Sequence, residues 1–311
     1  MQVHQNIDDL PLFRKAVVTI GTFDGVHLGH QQIIHQLIAE AKACGGESVI
    51  LTFHPHPRKV VNSSQHPIYL LNSLEEKIEL LETHGIDHLV VIPFTDQFSK
   101  MSAREYVSRF LAGKFHPYTL IIGYDHRFGN DRKGNYQLLE EMGPGYGFSV
   151  REIPEHIINS LTVSSTNIRK ALLAGKLEEA NDYLGYPYML SGTVVHGDKR
   201  GRSIGFPTAN LEVTDKEKLI PANGVYAVRI QAGQQRRIHN GMMNIGIRPT
   251  IAGTRRLIEV NIFAFSEDIY GEPLRVSLHH YLREEKKFAS LDELRDQIIK
   301  DKKEILLLLN E

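Results

Sequence analysis

The sequence is poor in cysteine, in long apolar segments and in net charge, and each shortage excludes a class of protein. A single cysteine, Cys44, allows no disulfide within the chain and no thiolate metal cluster. No segment reaches the ~18 consecutive apolar residues that a membrane-spanning helix needs. The net charge of -1 predicts no broad electrostatic attraction to nucleic acid or to an anionic membrane.

The first ten residues also lack the basic segment followed by an apolar one that a secretory leader has. We therefore expect a cytoplasmic protein, with no membrane and no nucleic acid among its partners, and the sequence allows a weak homo-oligomer. With 311 residues, of which 41% are hydrophobic, the chain is long enough for two domains with separate cores.

Short apolar runs alternate with helical patterns in the first half of the chain. Ser-x-x-Glu capping boxes at Ser73 and Ser102 predict the starts of two helices. The alternation is typical of a doubly wound parallel sheet in an α/β domain. The apolar runs that predict strands include 16–18, 48–53, 88–94, 118–123 and 148–153.

Polar clusters follow three of these predicted strands, at 21–30, 54–58 and 124–133. Ligands of doubly wound sheets bind outside the carboxyl ends of the strands, and parallel strands end at a common edge. The sequence therefore predicts that the three clusters form one site at that edge.

The first cluster, 19–30, reads as the end of a strand, a glycine-rich turn and the start of a helix, with His27 and His30 at the junction. A helix N-terminus offers unpaired N–H groups and partial positive charge, so this pattern favours phosphate binding. Two alternatives remain open. The histidines could ligate a metal together with His54 or His56, or they could be structural.

The segment 163–171 contains Ser164, Ser165 and Thr166 at a predicted helix start, with Arg169 in the first turn. Hydroxyls, free N–H groups and a guanidinium together could hold an anion. A plain N-cap with a surface arginine explains the same pattern equally well.

Beyond residue 185 the pattern changes to short strands separated by turn residues, which predicts an antiparallel barrel or sandwich. Ser290 caps a final helix. We place the domain boundary so that the domains are 1–186 and 187–311.

The glycine-rich, basic segment 197–210 suits a polyphosphate ligand, or it is a solvated surface loop. Thr208 and Asn210 are neutral oxygen donors two residues apart, a pattern compatible with Mg²⁺. Glu259 alternates with apolar residues in a predicted strand, so it is either an exposed-face residue or a base. Periodicity alone favours the exposed face.

Taken together, these segments resemble the prokaryotic family of bifunctional riboflavin kinase/FMN adenylyltransferases, also called FAD synthetases, over nearly the whole chain. A His-x-Gly-His motif alone is shared with many nucleotidylyltransferases, but its ordered combination with Pro-Thr-Ala-Asn is specific. The matching motifs lie at 21–30, 123–129, 164–169, 205–210, 224–226, 244–250, 268–272 and 282–285.

The resemblance implies an N-terminal nucleotidylyltransferase domain and a C-terminal riboflavin kinase barrel with a terminal helix. The kinase would convert riboflavin to FMN with ATP. The adenylyltransferase would join FMN and ATP into FAD and release pyrophosphate. Mg²⁺ is the implied cofactor, and riboflavin, FMN and ATP are the implied small-molecule partners, with FAD as the product.

The resemblance also implies roles for individual residues. For the kinase, Glu259 is the catalytic base. In the adenylyltransferase, His27 and His30 stabilise the transition state. The implied nucleotide-binding residues are Gly21, Phe23, Asp24, Gly29, Ser165, Thr166, Arg169, Gly197, Lys199, Gly201 and Gly205; the implied metal ligands are Thr208 and Asn210; the implied flavin-binding residues are His54, Asp125, Arg127 and Arg283.

Two positions depart from the family pattern. Thr22 stands where many relatives have asparagine, and His126 stands where an aromatic residue is frequent. Both positions bear on the detailed contacts of the adenylyl site and not on the reaction.

Overall fold

The computed structural model describes residues 1–61, 68–124, 126–153, 163–197, 201, 205–233, 237–250 and 253–310. The chain divides into two compact units, Met1–Ser164 and Ser165–Glu311. The predicted boundary at 186–187 lies farther along the chain, after two helices that belong to the second unit, and it stays a prediction.

The first unit is built on a six-stranded sheet in which every neighbouring pair of strands is parallel, in the order β1-β4-β3-β2-β5-β6. The predicted doubly wound parallel sheet is therefore confirmed, with one short edge strand, β1, that the apolar pattern did not indicate. The strands are β1 Gln2–His4, β2 Val17–Ile20, β3 Ser48–His54, β4 His88–Pro93, β5 Thr119–Gly123 and β6 Ser149–Ile153.

Both predicted capping boxes form in this unit. The Ser73 hydroxyl accepts from the Glu76 N–H at 3.1 Å while the Glu76 carboxylate accepts from the Ser73 N–H at 3.1 Å, and Ser102 and Glu105 pair likewise. The helices are α1 Leu28–Cys44, α2 Pro57–Val61, α3 Leu74–Glu82, α4 Asp96–Ser99, α5 Ala103–Glu105, the π-helix Tyr106–Phe115, α6 Tyr136–Met142, and 3₁₀ turns at Asn130–Arg132 and Gly143–Tyr146.

The side chains of β2 alternate between two apolar cores, one on each face of the sheet. Val18 packs in the core that includes the π-helix, and Val17 packs in the core that includes α1. The buried residues of the π-helix include Tyr106, Phe110 and Phe115, spaced by four or five positions, which i→i+5 bonding places on one face. The sheet is thus covered on both faces, and its strand ends are left for ligands.

The second unit begins with two helices and continues into a closed antiparallel barrel of order β10-β11-β8-β7-β12-β9. A closed barrel thus decides between the two predicted all-β architectures. Its elements are α7 Ser165–Leu173, α8 Leu177–Leu184, β7 Tyr188–Val195, β8 Ala209–Glu212, β9 Gly224–Ala232, β10 Ile238–Thr250, β11 Gly253–Ile262, β12 Pro273–Arg283 and α9 Leu291–Leu308.

The terminal helix α9 starts where the sequence predicts, since the Ser290 hydroxyl accepts from the Glu293 N–H at 3.2 Å. Ile305 and Leu309 pack against the barrel residues Val225 and Met242. Among the described helices of the chain, none has the length and apolar character needed to cross a membrane.

Candidate active sites

In the first unit, the chain runs outward from β2 to β3 and β4 on one side of the sheet and then continues through β5 and β6 on the other. Strand order therefore reverses between β2 and β5, the position at which such sheets bind ligands. Three neighbouring strands, β3, β2 and β5, end at this edge. The polar clusters that follow these strands are thus gathered as predicted.

The turn between β2 and α1 has an unusual backbone. Phe23 and Val26 have φ values of 47° and 37°, in the left-handed region that bulky and β-branched side chains disfavour. Both side chains are fully buried in the core beneath α1, which offsets the unfavourable backbone conformation. The Val26 carbonyl also accepts from the Gln31 side-chain amide at 2.9 Å. The turn is thus a fixed, strained element of the kind that functional sites contain.

Two buried charged residues, Lys77 and Asp24, make hydrogen bonds that hold this turn. Lys77 of α3, 6% exposed, donates from Nζ to the Thr22 carbonyl at 2.8 Å. Asp24, 2% exposed, accepts the Leu71 N–H at 2.9 Å. Burial lowers the pKa of Lys77, and the Asp24 carboxylate opposes that shift. Asp24 therefore holds the turn in place from within the fold, whatever contact it makes with a nucleotide.

His27 and His30 lie together at the start of α1. His27 is the N-cap residue, and its Nδ1 accepts the His30 backbone N–H at 3.4 Å. The two rings are stacked, with centroids 3.7 Å apart and planes 18° apart. Burial, the neighbouring His27 and then Lys77 hold the pKa of His30 well below its ordinary value. His30 is consequently a neutral imidazole near pH 7, able to donate one N–H without carrying charge.

The predicted glycines each lie against an aromatic ring of the turn, since a Cβ at Gly21 would contact the Phe23 ring and a Cβ at Gly29 would contact the His27 ring. The metal interpretation of the histidines gains no support. Within the described ranges, no group of three or more His, Cys, Asp or Glu side chains could hold a metal ion.

The two positions that depart from the family pattern, Thr22 and His126, make defined contacts in the structure. Thr22 contributes its backbone carbonyl, which accepts from Lys77 and from the Thr52 hydroxyl at 3.2 Å. The His126 ring stacks on Phe128, with centroids 5.8 Å apart and planes 29° apart. His126 therefore fills an aromatic position with an aromatic side chain.

The other predicted residues of the adenylyl site lie on β3, after β5 and at the start of α7. His54 is exposed at the end of β3, and Arg127 is exposed, donating from Nη1 to the His126 carbonyl at 3.2 Å. Asp125 lies outside the described residues. The predicted anion clamp, Ser165, Thr166 and Arg169, forms the beginning of α7 in the second unit.

In the barrel, strand register brings the predicted kinase residues together. Glu259 of β11 lies directly opposite Asn210 of β8 and opposite Asn244 of β10. Its carboxylate Oε2 accepts from Arg248 Nη2 at 2.7 Å, and the side chain keeps 20% of its exposure. Glu259 is thus half-buried and ion-paired, which differs from the exposed face that periodicity alone favours.

Two glycines of the basic segment, Gly197 and Gly201, approach the predicted metal ligands closely. A Cβ at Gly197 would overlap the Asn210 side-chain amide, and a Cβ at Gly201 would overlap the Phe206 carbonyl and lie 3.4 Å from the Thr208 hydroxyl. Only glycine permits these approaches. Gly197 and Gly201 therefore lie next to Asn210 and Thr208, the two predicted metal ligands. Gly205 has a φ of 83°, and Lys199 lies outside the described residues.

Arg283, a predicted flavin contact, forms an ion pair with Asp301 of the same unit. Its Nε and Nη2 donate to Asp301 of α9 at 3.1 and 2.6 Å, and Asp301 is 1% exposed. Gln297 donates to the same carboxylate at 2.8 Å. The guanidinium therefore links the end of β12 to the terminal helix, and its contact with a flavin stays a prediction.

Three residues of these sites were not singled out from the sequence: Lys77, Arg248 and Asn261. Asn261, 7% exposed, donates to the Pro207 carbonyl at 2.7 Å and so fixes the segment that carries Thr208. Arg248 lies inside the 244–250 motif, and this position was the feature of the sequence that could have indicated a role in the site. Lys77 gave no signal, because a lysine in a helical pattern normally faces water.

Comparisons with known proteins agree with this geometry. Residues 11–167 match the family model described as FAD synthetase, and residues 184–309 match the one described as riboflavin kinase. A bifunctional riboflavin kinase/FMN adenylyltransferase of Listeria monocytogenes is 40% identical, over 93% of this chain and 90% of the relative. Its Escherichia coli K12 counterpart is 37% identical, over 92% and 90%.

A crystal structure from Streptococcus pneumoniae, described as a macrolide-efflux protein, superposes with a TM-score of 0.84 at 32% identity, covering 97% of both chains. On the family models and these relatives, the chain belongs to the family of bifunctional riboflavin kinase/FMN adenylyltransferases.

Proposed function

We propose, starting from this membership, that the barrel phosphorylates riboflavin to FMN and that the parallel-sheet unit adenylylates FMN to FAD. The observation that carries the proposal is that both family regions are present in order, each with its own polar site. The stacked histidines occupy one site, and Glu259 facing Asn210 occupies the other.

In the adenylylation step, a phosphate oxygen of FMN attacks the α-phosphorus of ATP, and the bond to the pyrophosphate leaving group breaks. Both reactants already carry their reactive groups, so catalysis consists of positioning and charge stabilisation. The imidazoles of His27 and His30 and the N–H groups at the start of α1 donate to the phosphate oxygens. Gly21, Phe23, Asp24 and Gly29 form the surrounding nucleotide turn.

Two further groups of residues complete this assignment. Ser165, Thr166 and Arg169 hold the β- and γ-phosphates, as hydroxyls and a guanidinium at a helix start can. The residues that contact the FMN are His54 at the end of β3, and Asp125 and Arg127 after β5. These roles rest on the family motifs.

In the kinase step, the Glu259 carboxylate accepts the proton of the ribityl 5′-hydroxyl. The hydroxyl oxygen then bonds to the γ-phosphorus of ATP, and ADP leaves. The segment over the ATP phosphates contains Gly197, Lys199, Gly201 and Gly205. The glycines have no side chain, which allows backbone N–H groups to reach the phosphates. Arg283 lies on the flavin side.

Thr208 and Asn210 would hold Mg²⁺ in this site. Their side chains supply hydroxyl and amide oxygens, the hard donors that Mg²⁺ accepts alongside substrate phosphates. The close approach of Gly197 and Gly201 to these two side chains supports the assignment, because it puts two glycines proposed to lie over the ATP phosphates next to the proposed metal ligands. Bound there, the ion would neutralise charge on the transferred phosphoryl group.

The two sites predict opposite losses in two variants. His30→Ala should reduce FAD formation from FMN by at least ~100-fold, the scale of a lost transition-state donor, and leave FMN formation intact. Glu259→Gln should do the reverse, since an amide cannot accept the proton. Chromatography of flavin products over time, with riboflavin or FMN supplied, measures both rates.

His35→Ala and Glu304→Gln, at exposed positions of α1 and α9, are the matched controls and should retain both activities. Loss of both activities in each site variant would contradict the two-site assignment. Tight flavin binding without ATP turnover in the unchanged protein would point instead to a flavin carrier. Cytoplasmic location and weak self-association stay predictions.

A further inference from the structure

We propose that Arg248 is a positioning residue for the kinase base, holding one oxygen of the Glu259 carboxylate so that the other faces the substrate hydroxyl. The proposal rests on the role of Glu259 proposed above. It adds a residue of β10 to the machinery of the barrel.

The contact itself supplies the first reason. Arg248 Nη2 donates to Oε2 of Glu259 at 2.7 Å, a charge-assisted bond of short length. Within the described part of the chain, Oε1 has no hydrogen-bond donor. A carboxylate held through one oxygen keeps a fixed orientation and leaves lone pairs on the other oxygen free to accept a proton.

The strand register supplies the second reason. The residues directly beside Glu259 are Asn210 and Asn244, both neutral amides. Asn244 in turn donates its side-chain amide to Glu285 at 3.4 Å. Among the described charged side chains, the cation that contacts Glu259 is Arg248. Its side chain extends along β10 toward Asn244, the residue that pairs with Glu259.

A purely structural ion pair is the alternative, and its location argues against that role. The side chains of Arg248 and Glu259 keep 36% and 20% of their exposure. Partly exposed ion pairs contribute little to folding stability, because solvent screens them and ordering two long side chains costs entropy. Orientation of a reactive carboxylate is a better reason to hold this pair.

The test compares Arg248→Met and Arg248→Lys in the full chain, with Arg295→Met, at an exposed position of α9, as the control. Arg248→Met should lower the kcat of riboflavin phosphorylation about 10- to 100-fold, the cost of a misplaced catalytic group, with the KM for ATP and for riboflavin changed less than about threefold. Arg248→Lys should recover part of the loss. Adenylylation of supplied FMN reports on folding of the same molecules and should stay unchanged.

A double-mutant cycle with Glu259→Gln separates positioning from every other role. If Arg248 acts through Glu259, then Arg248→Met should have no further effect on the residual kcat of Glu259→Gln. A full additional loss in that background, or a KM for ATP raised tenfold or more, would show that Arg248 binds the nucleotide and would overturn the proposal. Full kinase activity in Glu259→Gln alone would instead contradict the proposed role of Glu259.

Discussion

The two units present their polar residues in different ways. In the parallel-sheet unit, the histidines sit on a turn whose backbone includes left-handed Phe23 and Val26, and six described non-glycine residues of the unit have positive φ. In the barrel unit, Ala264 is the one such residue among those described, and Glu259 and Asn210 lie on regular paired strands.

The difference indicates where each unit is vulnerable. The turn keeps its shape because Lys77 and Asp24 bind it from inside the fold, so adenylylation should depend on these buried charges. The barrel site is positioned by strand register, which no single side chain sets. Phosphorylation should therefore depend on side chains and close approaches within the site itself.

The largest effect should follow Lys77→Met. The change leaves the Thr22 carbonyl without its ammonium donor and the Asp24 carboxylate without its neighbouring cation. Removing one member of such a buried charged group typically costs about 3–5 kcal/mol. We expect a loss of that size in the free energy of unfolding of the first unit, measured by urea denaturation. The adenylylation rate should be at least ~100-fold lower, the scale expected for a misplaced catalytic group.

Phosphorylation of riboflavin by the same molecules should persist. Lys42→Met, at an exposed position of α1, should change neither activity nor stability. Unchanged adenylylation in Lys77→Met would show that the turn keeps its shape without the buried lysine, and the contrast between the units would disappear.

A smaller effect, confined to the barrel, should follow Gly197→Ala. The added methyl group overlaps the Asn210 amide, which can turn aside at little cost in stability but then no longer occupies its place. The kcat/KM for riboflavin phosphorylation should fall about 10- to 100-fold. Gly145→Ala, where nothing lies within 4 Å of the added Cβ, is the control. A loss of adenylylation equal to the loss of phosphorylation would contradict this prediction.

The smallest effect concerns pH. Because the pKa of His30 is lowered in the folded protein, the unfolded chain binds a proton below about pH 6.5 that the native state does not. Stability of the first unit should therefore fall as pH drops below that value, by up to about 1.4 kcal/mol per pH unit for one proton. His30→Gln should reduce this slope in urea unfolding measured between pH 7.5 and 5.5.

The barrel offers the matched comparison. Burial, Arg229 and His280 lower the pKa of His279 to about 4, so His279→Gln should reduce the corresponding slope in the second unit only. If His30→Gln left the slope of the first unit unchanged, the histidine would be accessible to protons in the folded protein.

Local sequence determined much of this protein. Strand runs and the capping boxes at Ser73 and Ser102 were predictable, like the cap at Ser290, because each depends on spacing within a short segment. The gathering of three polar clusters at one sheet edge was predictable because parallel strands end at a common edge. The ordered motifs likewise identified the family. The short strands β1 and β8 were missed, since neither contains an apolar run such as the one in β2.

Tertiary structure decided which charged residues support the sites. Lys77 looks like a surface lysine in its helix, and only packing of α3 beneath the turn buries it. Arg248 and Glu259 lie on β10 and β11, and their 2.7 Å contact forms only because these strands pair and the arginine side chain extends along β10. Propensity and periodicity describe one segment at a time, whereas ion pairs between segments and the burial of a charge depend on how the segments pack.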